Sequence, residues 1–229
     1  MISVILPTYN EAGNIIQLIN QICRNLSKHL YEIIVVDDDS PDGTAELVKK
    51  SFNNQNKIRL FQRKKDKGLA KAVRFGIEKS AGDFILVMDT DFNHNPADIP
   101  TMIKNVGKLD LIVGSRYIKG GGMENKIRFV SSYLYNLIIR LILRLNTFDN
   151  LSGFFLIKRE KLIKFSYDAI FKGYGDYFIR LLYFAHKNNL HIKEIPVFYK
   201  NRVAGQSKSK FIPMFVDYSK TVLELFTHS

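Results

Sequence analysis

Five short runs rich in Val, Ile and Leu, at 2–7, 31–36, 58–62, 83–88 and 110–114, alternate with four segments of helical spacing in the first half of this chain. No other feature limits the fold as strongly. Strands joined by crossover helices pair in parallel, and a parallel sheet needs helices on both faces. The run 31–36, Tyr-Glu-Ile-Ile-Val-Val, is nearly continuous in apolar residues and reads as a central, buried strand. The spacing of Ile15, Leu18, Ile19, Ile22 and Leu26 predicts a helix over 11–30. Further helices are predicted over 42–52, opened by Ser40-Pro41-Asp42-Gly43, over 69–80, stopped by Ala81-Gly82, and over 98–106. The expected fold class is α/β, a Rossmann-like and mostly parallel central sheet with helices on both faces. In such sheets ligands bind beyond the carboxyl ends of the strands, so the informative residues should directly follow the runs.

A chain of 229 residues with 46% hydrophobic and 24% charged residues can bury a full core without disulfide staples, which excludes a disordered chain. One domain over 1–229 is expected. The single cysteine, Cys23, cannot form an internal bridge and points to a reducing compartment. The N-terminus lacks the basic region and cleavage site of a signal peptide, and no stretch reaches the ~20 apolar residues of a spanning helix. The net charge of +12 is unevenly placed, about +1 over 1–115 and +11 over 116–229. That asymmetry predicts an anionic partner for the second half.

The second half is less regular. Lys119-Gly120-Gly121-Gly122 reads as a flexible loop, 128–145 as a long apolar helix and 152–157 as a strand. A helix is expected within 173–188 and a strand over 191–199. A basic loop at 202–210 precedes a final amphipathic helix, with apolar positions at Phe211, Phe215, Val222 and Phe226. In the 128–145 segment, Arg128, Ser132, Asn136, Arg140 and Arg144 recur every four residues as one polar stripe on an otherwise apolar surface. So broad an apolar face suits a core helix, or one lying in a membrane interface with its arginines reaching the headgroups.

Three polar clusters follow predicted strands: Pro7-Thr8-Tyr9-Asn10-Glu11, Asp37-Asp38-Asp39-Ser40-Pro41-Asp42 and Asp89-Thr90-Asp91-Phe92-Asn93-His94. Clustered carboxylates repel one another and persist where a cation or sugar hydroxyls offset the repulsion. An Asp-x-Asp pair suits Mg²⁺ or Mn²⁺, which keeps positions open for phosphate oxygens. Asn93 adds an amide oxygen. Asp38, following the second strand, suits the base or ribose of a nucleotide, whereas Asp39 or Asp42 can equally cap the next helix. No G-x-G-x-x-G follows the first strand and no G-x-x-x-x-G-K-[ST] occurs, which argues against a dinucleotide dehydrogenase and a P-loop ATPase.

On these residues the chain resembles family 2 glycosyltransferases of the GT-A fold, and among them the dolichol-phosphate or polyprenol-phosphate mannosyltransferases. The resemblance runs through residues 4–11, 32–44, Lys67-Gly68-Leu69, Gly82-Asp83, Met88-Asp89-Thr90-Asp91, His94 and Pro96. It continues in Gly114-Ser115-Arg116-Tyr117, Ser152-Gly153-Phe154 and the Arg-x-x-Gly-x-Ser-Lys of Arg202, Gly205, Ser207 and Lys208. The last three motifs narrow it to the polyprenol-phosphate transferases.

The resemblance implies a nucleotide-sugar-binding half, 1–115, and an acceptor- and membrane-facing half, 116–229. Pro7, Tyr9, Glu11, Val36 and Asp38 would hold the nucleotide, and Asp89, Thr90 and Asp91 would meet the sugar diphosphate. Arg202 and Lys208 would complete the donor site, and Asp91 and Asn93 would ligate Mg²⁺ or Mn²⁺. The family commonly carries Ala and Gln where Thr90 and Asn93 stand, so a water between the shorter Asn93 and the ion is an alternative to direct ligation. Asp89, Asp91, Arg116 and Arg202 would act in catalysis. Arg116, Arg128, Ser131 and Ser132 would take the acceptor phosphate, since an Arg fork suits phosphate oxygens. His94 beside the metal motif invites the role of general base, yet a phosphate acceptor is already largely anionic near pH 7 and needs positioning more than deprotonation.

The implied reaction moves a hexose, mannose from GDP-mannose, to a polyprenyl or dolichyl phosphate with inversion. Within the class, a UDP-glucose-dependent polyprenyl-phosphate glucosyltransferase or another family 2 transferase is the alternative. The expected location is the cytoplasmic side of a membrane, bound peripherally to its anionic surface, with a membrane-embedded subunit as an open further partner. The positive charge also raises a nucleic-acid-binding protein, but interleaved aromatic and basic residues and a helix-turn-helix pattern are lacking, so no nucleic acid is expected. An idle scaffold would leave the Asp-x-Asp pair without a purpose.

Overall fold

The computed structural model describes residues 1–200 and 211–227, the side chains of 211 and 212 excepted. The apolar runs form strands β1 (Ile2–Thr8), β2 (Tyr31–Asp37), β3 (Ile58–Gln62), β4 (Phe84–Val87) and β5 (Leu111–Ser115). Between them lie α1 (Ile15–Asn25), α2 (Thr44–Phe52), α3 (Leu69–Lys79) and α4 (Ile99–Asn105). The second half adds β6 (Gly122–Met123), α5 (Lys126–Leu143), β7 (Phe155–Lys158), α6 (Arg159–Leu162) and α7 (Tyr167–Ile170). It continues with α8 (Tyr177–Lys187), β8 (Ile192–Pro196), β9 (Phe198–Tyr199) and α9 (Phe211–Thr227).

Seven of these strands form one sheet in the order β3-β2-β1-β4-β7-β5-β8. β1 pairs in parallel with β2, from Ile2 opposite Tyr31 to Thr8 opposite Asp37, and with β4 on its other side. Burial on both faces explains the unbroken apolar runs. One face carries Val4, Leu6, Ile33 and Val35 against Ile15, Leu18, Ile19 and Ile22 of α1. The other carries Ile5, Ile34 and Val36 against Ala72, Val73 and Ile77 of α3.

Two sequence expectations are corrected, and one strand direction that the sequence left open is settled. The first helix begins at Ile15 rather than residue 11, because the backbone before it is tied to the β2–α2 loop. Ser40 Oγ, Thr44 Oγ1 and Asp42 Oδ2 accept the N–H groups of Asn10, Glu11 and Ala12 at 2.9–3.0 Å. β7 runs antiparallel between β4 and β5, with Leu86 and Ile112 both opposite Leu156. The chain leaves β5 at its carboxyl end, passes through α5 and re-enters the sheet from that end, which reverses β7. The glycine loop is ordered: Gly122 and Met123 pair with Phe198 and Tyr199 in a second, two-stranded sheet. Gly121 is required there, since a Cβ would stand 2.5 Å from the Ser115 carbonyl oxygen.

Helix α5 is turned opposite to an ordinary surface helix. Its Ile127, Val130, Leu134, Leu137, Ile138 and Leu141 are exposed, Leu141 by 68%. Only the middle of the polar stripe turns inward, beside the buried Ile139 and Leu143, while Arg128 and Arg144 are exposed. Asn136 is buried, accepts the Asn150 N–H at 2.6 Å and donates to the Ser132 carbonyl at 2.8 Å. Arg140 lies 4.1 Å over the Phe148 ring. Its guanidinium is therefore held by the protein, not directed outward from the apolar face as the sequence suggested. α9 packs beside α5 through Tyr135, whose ring meets that of Phe215 at a tilt of 43° and whose hydroxyl bonds Ser219 at 3.0 Å. Phe215 and Phe226 of α9 are exposed as expected, but Val222 is buried in the core. The Phe211 side chain lies outside the described ones. Among the described residues no helix is long and apolar enough to cross a membrane.

Candidate active site

The carboxyl ends of β1, β2 and β4 open onto a cavity of about 680 Å³, closed on the far side by α5, α8 and α9. Pro7, Tyr9, Glu11, Asp38, Asp89, Thr90, Asp91 and Asn93 line its sheet side, and Arg116, Arg128, Ser131 and Ser132 line its helix side. Residues as far apart in the sequence as Pro7 and Ser132 thus reach one space, its sheet side assembled because β1 lies between β2 and β4. Val36 is the exception. It is fully buried and packs on α3, its methyl facing Gly76, so its side chain does not reach the cavity. Arg202 and Lys208 lie outside the described residues.

The acidic clusters divide their labour. Asp37 is buried and accepts the Ser40 N–H at 2.9 Å and the Ser40 hydroxyl at 2.5 Å. Asp42 caps the start of α2 by accepting the Thr44 N–H at 3.1 Å. Asp39, half-buried, pairs with Lys67 at 2.9 Å, which holds its carboxyl below the usual range. Asp38 is buried on the cavity wall. Its Oδ1 takes Nε of Arg63 at 2.8 Å and its Oδ2 takes the Gly68 N–H at 2.7 Å. Arg63 was not singled out by sequence; it sits 25 residues from Asp38 with no local motif to mark it.

Past β4 the chain turns sharply, with Phe92 in the left-handed region at φ 65°. Asp91 stabilises the turn: its Oδ1 accepts the Asn93 N–H at 3.1 Å and its Oδ2 accepts Asn93 Nδ2 at 2.9 Å. Asn93 itself lines the cavity. Among the described residues no three His, Cys, Asp or Glu side chains gather as a complete metal cage. Two carboxylates and an amide oxygen on one wall supply part of a shell, which fits Mg²⁺ or Mn²⁺ completing its coordination with phosphate oxygens.

His94 supports this turn from beneath. Its Nδ1 accepts the Asp89 N–H at 2.8 Å, so Nε2 carries the hydrogen, facing the Ser152 carbonyl at 3.0 Å and the Tyr199 hydroxyl at 2.7 Å. The ring stacks on Phe154. Burial pulls its pKa from 6.5 to about 4, against the opposing charge of Asp91. A neutral imidazole with both nitrogens engaged is a brace, not a general base. Between pH 6.5 and 4 the unfolded chain binds the proton that folded His94 refuses. Its contribution to stability is therefore fully present above pH 6.5 and is withdrawn as pH falls toward 4, by about 3 kcal/mol. The melting temperature should fall across that window, and a His94→Gln variant should lose less of its own.

On the helix side Arg116 is buried. Its Nε and Nη2 donate to Asp149 Oδ2 and Oδ1 at 2.7 and 2.6 Å, and its N–H donates to Oδ2 at 2.9 Å. The guanidinium lies 5.0 and 4.8 Å from the Tyr117 and Tyr199 rings. Asp149 holds Arg116 charged despite its burial. The sequence reading placed this fork at the acceptor phosphate; two of its nitrogens are committed to Asp149. Asp149 is held in turn through its N–H by Glu194 at 2.9 Å. Arg128 and Ser131 are exposed at the start of α5, and the Ser132 hydroxyl bonds that of Tyr117. Sequence reasoning also missed Tyr135, Tyr174, Tyr177 and Tyr218, which line the cavity from α5, the loop before α8, α8 and α9. Aromatic residues at helical spacing look the same in a core as in a site.

Residues 3–165 match the profile described as glycosyl transferase family 2. The chain is 34% identical to a dolichol-phosphate mannosyltransferase of Pyrococcus furiosus, over 99% of its own length and 62% of that protein. It is 30% identical to a polyprenol monophosphomannose synthase of Mycolicibacterium smegmatis, over 90% of its length and 79% of the relative. Its fold resembles glucosyl-3-phosphoglycerate synthase of Mycobacterium tuberculosis, solved with Mn²⁺, uridine diphosphate and phosphoglyceric acid, with a TM-score of 0.72 at 19% identity. That alignment covers 98% of this chain and 76% of the other.

Proposed function

The chain belongs to glycosyl transferase family 2, and from that premise we propose that it transfers mannose from GDP-mannose to a polyprenyl phosphate, with inversion at the anomeric carbon. One observation carries the choice of a lipid acceptor. The helix that presents Arg128, Ser131 and Ser132 to the cavity is the same helix that exposes Ile127, Val130, Leu134 and Leu137 on its opposite side. A phosphate headgroup can sit in the cavity while its hydrocarbon tail stays on an apolar surface. The names of the relatives from Pyrococcus and Mycolicibacterium support the same substrate class.

In this reading Asp38 and the Gly68 turn that it holds contact the nucleoside, as does the loop from Pro7 to Glu11. Asp89, Asp91 and Asn93 hold Mg²⁺ or Mn²⁺ beside the diphosphate. The bound ion would balance charge on the departing nucleoside diphosphate. Arg128 positions the acceptor phosphate, with Ser131 and Ser132 beside it. Arg116, fixed by Asp149, adds a permanent positive charge at the cavity wall where negative charge is concentrated. The acceptor oxygen attacks the anomeric carbon from the face opposite the leaving group, and proximity supplies much of the acceleration. The acceptor-facing half, 116–229, binds the cytoplasmic side of an anionic membrane peripherally.

A donor screen tests this directly. GDP-mannose, UDP-glucose and other nucleotide sugars are offered with polyprenyl phosphate and Mg²⁺ or Mn²⁺, and the lipid-linked sugar is read out. GDP-mannose should give the product. Turnover confined to UDP-glucose would make the protein a glucosyltransferase, and turnover only with a water-soluble acceptor would remove the lipid assignment.

A further inference from the structure

Glu194 stands on β8, the edge strand beside β5, opposite Val113. It is not among the residues that line the cavity. Its two carboxylate oxygens accept the backbone N–H groups of Phe148 and Asp149, each at 2.9 Å. Both N–H groups lie in the segment between α5 and β7, outside any helix or strand. A carboxylate that spans two successive N–H groups holds such a segment in one place. Asp149 passes that order on. It is fully buried, and its Oδ2 accepts both the N–H and the Nε of Arg116 while its Oδ1 takes Nη2. Backbone and side chain of Arg116 are thus tied to one carboxylate, and the Tyr117 and Tyr199 rings flank the guanidinium. Among the described residues Nη1 makes no hydrogen bond, and Arg116 lines the cavity. Tyr117 bonds the Ser132 hydroxyl, which places the arginine on the side of the cavity that carries Arg128, Ser131 and Ser132.

We propose that Glu194 is a positioning residue for the acceptor phosphate: it fixes Asp149, and Asp149 presents Arg116 to a phosphate oxygen. This rests on the transferase reading of the cavity. The contacts run from Glu194 to the Phe148 and Asp149 backbone and from Asp149 to Arg116, so no substrate touches Glu194 itself. The position calls for a carboxylate, because both of its oxygens accept. A Gln amide offers one acceptor and turns its NH₂ group toward the other N–H. An Arg116 that is free to tilt keeps its charge but loses the alignment of its fork with phosphate, and a misplacement of about 1 Å is enough to slow a positioned reaction. The donor side of the cavity is built on other elements, the ends of β1, β2 and β4, and is not held by Glu194. Loss of Glu194 should therefore be felt by the acceptor and not by the donor.

The test compares wild type with Glu194→Gln, using polyprenyl phosphate in detergent micelles as acceptor and GDP-mannose with Mg²⁺ as donor. We expect KM for polyprenyl phosphate to rise about tenfold and KM for GDP-mannose to stay within about twofold. The same substitution is then made in an Arg116→Lys background, where the fork is already gone. There it should change the acceptor KM by less than about twofold, since two residues that act through one contact are not additive. If Glu194→Gln does not fold, Glu194→Asp, which keeps the charge and both oxygens but draws them back by one methylene, carries the same comparison with a smaller rise. Equal rises in the two KM values, or a lower melting temperature with both KM values unchanged, would mark a merely structural role and overturn the inference. A full acceptor effect persisting in the Arg116→Lys background would overturn it too, while leaving the transferase reading intact. If wild type prefers UDP-glucose, that donor replaces GDP-mannose throughout. If wild type transfers no sugar to polyprenyl phosphate, the transferase reading fails, and this inference fails with it.

Discussion

Asp91→Ala is expected to lower kcat/KM by on the order of 10³-fold or more, corresponding to several kcal/mol of transition-state stabilisation supplied through a divalent ion. The carboxylate lines the cavity beside Asp89 and Asn93. It also accepts two hydrogen bonds from Asn93 across the turn that holds Phe92 at positive φ. The alanine variant should therefore lose about 1 kcal/mol of stability as well, an effect separable by melting. Asp91→Asn keeps the size of the side chain and one acceptor oxygen while removing the charge. It should remain folded like wild type and be nearly as inactive as the alanine variant. Wild type in excess chelator should behave in the same way. Full activity of Asp91→Asn, or of chelated wild type, would remove the metal from the account.

The second large effect concerns the exposed face of α5. Leu137, Ile138 and Leu141 are 38, 50 and 68% exposed. Replacing all three with Ser should release the protein from anionic vesicles, a change of about 3–4 kcal/mol or several hundredfold in partitioning, if much of that surface enters the interface. Because the side chains point away from the core, melting should hardly shift. Raising the salt should weaken wild-type binding without abolishing it, since the electrostatic contribution is screened and the apolar one is not. A triple variant that unfolds would mean the face is packed core. A wild type indifferent to anionic vesicles would require a membrane-embedded partner to bring it to its substrate.

The two predictions draw on different kinds of legibility. Asp38, Asp89 and Asp91 could be found from the sequence because each follows an apolar run, and a parallel sheet delivers its strand ends to one edge. Both conditions are local: strand period and strand end are written within ten residues. That β1 lies between β2 and β4, so that the two clusters meet, was decided by the tertiary structure, because the alternation leaves the strand order open.

The partners of the site residues were not written locally. Asp149 meets Arg116 from 33 residues away, and Arg63 meets Asp38 from 25. Nothing in the spacing distinguishes these from any solvated charge. The antiparallel β7 depended on which end of the sheet the chain re-entered after α5. For α5 itself, the sequence determined that Arg128, Ser132, Asn136 and Arg140 share one face, because 3.6 residues per turn settle that question. It could not determine which face turns inward. That was decided by the core that Ile139 and Leu143 enter, together with the Asn150 N–H and the Phe148 ring that the fold brings against Asn136 and Arg140, which leaves Leu134, Leu137, Ile138 and Leu141 outside. Periodicity is a property of one helix, whereas inside and outside are defined only by what the rest of the chain packs against it.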